Sequence, residues 1–101
     1  MSTDRAERYH AAVTAELDEE RAAVLGRVSR KLERARATAR DLDERCAASG
    51  GRDAALAQER RRAHAEAAEL RWVLCIQREA IGLYDHRWVD AVYPPLRPPM
   101  G

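Results

Sequence analysis

Along the first half of the chain, apolar residues recur at helical intervals: Tyr9, Val13, Leu17, Val24, Val28, Leu32, Ala35, Ala39, Leu42 and Cys46. Steps of three, four and seven put them on one stripe of a helix and leave the charged residues on the rest of its surface. Asp4, with Glu7 three residues on, supplies a start signal, because each side chain can satisfy an orphan amide of the first turn. The stop is Ser49-Gly50-Gly51-Arg52-Asp53, where Gly50 can take the left-handed conformation that closes a helix and Asp53 can cap the next one. The pattern predicts helix 1 over about 4–48 and a turn over 49–53.

In the second half, Leu56, Arg60, Ala63, Ala67, Leu70, Leu74, Gln77, Ile81, Tyr84, Trp88 and Ala91 alternate steps of four and three. Such a heptad seam is what two packed helices require. It predicts helix 2 over about 54–92, ended ahead of Pro94, which disfavours helix in the residue before it and has no amide of its own. A Pro-rich tail over 93–101 should be extended. A short turn between helices of roughly 40 residues, about 60 Å each, makes an antiparallel, coiled-coil-like two-helix hairpin in a single all-α domain, 1–101. Facing residues then have numbers summing to about 101, so Leu70 meets Leu32, Leu74 meets Val28, Ala63 meets Ala39, Tyr84 meets Leu17 and Trp88 meets Val13. The seam is narrow and Ala-rich near the turn and bulky toward the termini. Gly26 and Gly82 each carry about 1 kcal/mol of helix-interior penalty relative to Ala, read as a tolerated cost, a close helix approach or a kink.

Ala65, Ala68, Trp72, Ile76 and Leu83 form a second apolar stripe on helix 2, on the side helix 1 cannot reach. A covered Trp buries about 150–250 Å², worth several kcal/mol at roughly 25 cal/mol per Å². Three covers are open: a second copy, a different protein, or the chain's own tail folding back. A second copy is favoured, because two hairpins joined through this face would build a four-helix bundle with a shared core. The expected partner-binding residues are Trp72, Ile76 and Leu83, with Tyr84 and Trp88 anchoring the base of the bundle. Association would be a homo-oligomer, a dimer first.

Composition refines this picture. Phe is absent, Ala supplies much of the apolar fraction, and charged residues reach 35%, as suits long solvated helices. Residues 1–20 carry two Arg against six Asp and Glu, a net of −4. Residues 21–62 carry twelve basic and six acidic residues, a net of +6. A basic segment can track phosphates, so a nucleic-acid-binding regulator using residues 27–62, with Arg45, Arg52, Arg60, Arg61 and Arg62 foremost, is the alternative function. Interleaved acids such as Asp41, four before Arg45, favour a charge-paired solvated face instead. No apolar run is long enough for a membrane span and the N-terminus is charged, which gives the expectation of a cytoplasmic protein that does not engage membranes. Cys46 and Cys75 read as small buried or half-buried hydrophobes, too far apart along the hairpin for a disulfide.

Catalytic motifs are not found: there is no phosphate loop, since the Gly50-Gly51 pair is not followed by Lys-Ser/Thr, and no Cys-His pairing. The best polar cluster is at the base, where His10 should lie near His86, Asp85 and Asp90; an inter-subunit metal or cofactor site there is the third reading. His64 reads as part of an Ala- and Arg-rich surface. The tail's Pro95 and Pro98 have PxxP spacing, either a docking peptide or a terminator whose Leu96 lies against the base of the bundle. In length and shape the chain resembles small secreted helical hairpins whose turn carries Trp-x-Gly, and encapsulated ferritin-like hairpins with Glu-x-x-His on the second helix. The turn here is Ser49-Gly50-Gly51, and Arg61 stands three before His64, so no residue is carried over from either. The expected function is a non-enzymatic scaffold, adaptor or accessory subunit, with no cofactor, metal ligand or catalytic residue assigned.

Overall fold

A computed structural model describes residues 2–97. Within them are three α-helices and no strand: α1 (Ser2–Ala48), α2 (Ala54–Ala80) and α3 (Arg87–Val92). The two long helices pack together, with α2 running back along α1. The result is a rod with principal extents of 75 × 20 × 16 Å. Its radius of gyration is 19.8 Å, against about 13 Å for a compact 100-residue domain.

The first turn follows the reading of the sequence. Gly50 and Gly51 have φ of 68° and 74°. Their amides donate to the carbonyls of Ala47 and Cys46 at 3.0 Å each, the Schellman pattern that satisfies the last carbonyls of a helix. Asp53 then accepts from the amides of Ala55 and Leu56 at 3.0 and 3.1 Å and starts α2. At the other end α1 begins at Ser2, so Asp4 lies within the first turn, where a negative charge faces the positive end of the helix dipole.

Helix 2 is shorter than the heptad pattern predicts. It ends at Ala80, and a second Schellman turn closes it: Gly82 has φ of 89°, its amide donates to Glu79, and the amide of Leu83 donates to Arg78, both at 2.9 Å. The chain reverses there, and α3 with residues 93–97 returns along the groove between α1 and α2. Val89 and Tyr93 join Val28, Leu32 and Leu74 in the main core, where Leu32 and Val89 are fully buried. Leu96 reaches the Ala-lined cluster of Ala39, Leu42 and Ala63 near the first turn. The tail is therefore a third packed segment of the rod, directed away from the base where Leu96 was expected. Of the Pro95–Pro98 PxxP spacing, Pro95 lies in this returning segment, and Pro98 lies outside the described residues.

Polar bonds hold this return in place. The Tyr93 hydroxyl donates to Glu33 at 2.6 Å, Arg36 donates to the carbonyl of Pro94 at 2.5 Å, and Arg71 donates to the carbonyl of Tyr93 at 2.7 Å. Arg71 also pairs with Asp90. Burial, together with the neighbouring Glu33 carboxylate, raises the Tyr93 phenol above its ordinary pKa. No helix among the described residues is long and apolar enough to cross a membrane.

Candidate functional site

The residues expected to face each other in the body of the rod fall in common cores: Val28 and Leu32 with Leu74 and Leu70, and Ala39 with Ala63. Those expected at the base are not. Leu17 and Arg21 share a groove with Ala80 and Ile81 at the end of α2, so the preceding residues of α1 extend past the last turn of α2. Tyr84 and Trp88, carried around the Gly82 turn, do not meet Leu17 and Val13. The reason is local: the left-handed Gly82 satisfies the terminal carbonyls of α2 and redirects the chain before the heptad seam can continue.

Two exposed apolar surfaces result. On the first, every side chain from Thr3 to Ala23 is exposed except the partly covered Val13. Tyr9 is 74% and Leu17 44% exposed. Ahead of Leu17 this arm keeps the apolar stripe of a packed helix with no described residue of α2 beside it. Its exposed ion pairs, Arg8 with Asp4 at 4.0 Å and Arg21 with Asp18 at 3.8 Å, add little to its stability.

The second surface holds the residues expected to bind a partner, now in two groups. Trp72 and Ile76, one turn apart on α2, are 64% and 43% exposed. The tail folds back but does not shelter the indole of Trp72. Leu83, Tyr84 and Trp88 surround a shallow depression at the Gly82 turn together with Arg78 and Asp85. The guanidinium of Arg78 lies 5.1 Å over the Trp88 ring, whose edge meets Tyr93 at 5.9 Å between centroids. Val92, 45% exposed, belongs to the same end of the molecule and was not singled out in the sequence. Its place on a separate short helix is invisible to a reading that continues helix 2 to residue 92.

The basic segment is partly spent on internal pairing. Arg60 donates to Asp43 at 2.5 Å, and Arg45 lies 3.8 Å from Asp41. Arg52, Arg61 and Arg62 are exposed. His64 is buried at 7% exposure, not on the surface, and its Nε2 lies 2.8 Å from the same Asp43 carboxylate. Burial raises the Asp43 pKa, but the hydrogen bonds from Arg60 and His64 outweigh it and hold the carboxyl below its ordinary value.

His10 and His86 are not brought together. His10 is exposed on the arm, about 16 Å of helix beyond the end of α2. His86 lies 2.8 Å from the Glu79 carboxylate. Among the described residues no group of three or more His, Cys, Asp or Glu side chains is arranged to hold a metal ion. Cys46 is buried and Cys75 half-buried, both as free thiols. Comparison with protein-family models, with curated proteins and with solved structures finds no match to this chain.

Proposed function

We propose that the protein is a non-enzymatic association module whose α1 arm is covered by a second copy of the chain. The observation that carries this reading is the arm itself, a helix whose apolar stripe of Tyr9, Val13 and Leu17 borders α2 at Leu17 and runs on past its end. Helices in water draw most of their stability from packing an apolar face, so an unpaired stripe is a face awaiting a partner. Charge supports an antiparallel pair. Residues 1–20 carry −4 and residues 21–62 carry +6, so each acidic arm would lie against the basic body of the other copy.

In such a dimer each arm becomes a fourth helical segment beside the partner's α1, α2 and α3, seated against Trp72 and Ile76 or the Leu83–Trp88 depression. A four-helix arrangement is then built at each end from three segments of one copy and one of the other. The two-fold relation makes the contact self-complementary and closed. Sedimentation equilibrium tests it: the mass should be twice the 11.4 kDa of one chain. Replacing both Val13 and Leu17 by Glu should return it to one chain while the body stays folded. A single-chain mass at every concentration reached overturns the proposal.

A further inference from the structure

Where the tail returns beside α2, it leaves a cleft of about 470 Å³, within the size range of small-molecule sites. Ala68, Pro95 and Leu96 give it an apolar wall, and Arg36, Arg61 and Arg71 line it as well. Arg36 is the informative residue. It is only 5% exposed, yet its hydrogen bond goes to a neutral carbonyl, that of Pro94, and its guanidinium lies 6.0 Å from the Tyr93 ring centroid. Among the described residues no carboxylate pairs with it: Glu33 accepts from the Tyr93 hydroxyl and Asp90 is taken by Arg71. Burial, followed by the positive charges of Arg40 and Arg71, lowers its pKa. A buried cation with no carboxylate beside it among the described residues is unfavourable, and an anion seated in the cleft would relieve it.

We propose that this cleft binds a small organic anion, with an apolar body against Ala68, Pro95 and Leu96 and one carboxylate- or phosphate-type head balancing Arg36. Planar guanidiniums suit both heads, since each accepts paired N–H donors. The cleft adjoins the proposed association surface, since Ala68 is one turn from Trp72 on α2, but the inference does not rest on that reading.

The test is a titration of the full chain followed by amide chemical shifts at residues 65, 68 and 71, with hexanoate, phenyl phosphate, inorganic phosphate and hexanol as probes. Hexanoate or phenyl phosphate should bind saturably, and the tighter of the two assigns the head group. Inorganic phosphate and hexanol, each lacking half of the complement, should bind at least about tenfold more weakly. Ala68→Phe, on an exposed helix position, should fill the cleft and abolish binding. Arg61→Ala should weaken it about tenfold through loss of a rim charge. Arg36→Met, checked by its melting curve, should remove binding while keeping the aliphatic stem. No saturable shift with either organic anion overturns the proposal, as does binding of hexanol equal to hexanoate, or binding untouched by Ala68→Phe.

Discussion

From Val28 to Cys46, α1 has α2 along one side and the returning tail in the groove between them; from Thr3 to Glu16 the same helix, with the same apolar spacing, has neither. In the body the stripe is closed over, with Leu32 and Ala39 at 0% exposure, while Tyr9 on the arm is 74% exposed. A stripe at helical spacing therefore states that a partner exists without stating whose chain supplies it. The partner in the body comes from within the chain because Gly82 sends residues 83–97 back toward the first turn. Had α2 continued to residue 92, it would have covered the arm itself.

Substitution at matched positions of the two halves should separate them most strongly. Leu32→Ala removes a fully buried side chain and should destabilise the folded body by about 3 kcal/mol or more in chemical denaturation. Leu17→Ala, at an exposed position, should change the stability of the dilute single chain by no more than about 0.5 kcal/mol. It should weaken association instead. On the facing surface, Trp72→Ala should weaken self-association by about 2 kcal/mol or more, read by sedimentation across a dilution series. A Trp72 variant that associates like the parent would remove that face from the contact.

The glycines sharpen the comparison at the level of the backbone. At Gly82 an added methyl group meets no atom within 4 Å, but its φ of 89° strains any L-residue. Gly82→Ala should therefore cost about 1–2 kcal/mol by thermal melting. Gly26 lies inside α1, and an added Cβ there would meet only the movable guanidinium end of Arg30 at 3.2 Å. Gly26→Ala should stabilise the chain by up to about 1 kcal/mol.

The tail's contribution should titrate. The folded-state pKa of Tyr93 lies above its unfolded value of about 10, so the folded chain holds the proton more tightly. That stabilisation is present below pH of about 10 and is lost as pH rises through the folded pKa. Denaturation on the alkaline side should show stability falling with pH, and Tyr93→Phe should flatten the slope. Asp43 acts at the opposite end: its lowered pKa gives stability that is present above pH of about 4 and lost as the pH falls through the folded value.

Much of the architecture was legible in spacing alone. The helix stripes, the Ser49–Asp53 turn with its Asp53 cap, the alanine cluster and the common core of Val28, Leu32 and Leu74 all follow from local chemistry that the structure repeats. The second turn uses the same Schellman device as the first, but it was not legible. Gly50 is announced by Ser49, Gly51 and Asp53, whereas Gly82 stands among apolar residues whose steps of four and three run on through Tyr84 and Trp88. Trp72 and Ile76 were identified as exposed from their angle on the helix, and they are. Leu83, Tyr84 and Trp88 are exposed too, but around a turn rather than along a helix face. The cleft at Arg36 depends on the path of the tail, so no pattern along the chain could announce it.

Hydrogen exchange of the amides of residues 5–18, followed at two protein concentrations well apart, tests most directly whether a second copy covers the arm. Protection there should rise with concentration, while that of residues 28–46 stays high at both. Exchange of the arm at unprotected rates at both concentrations would contradict the account.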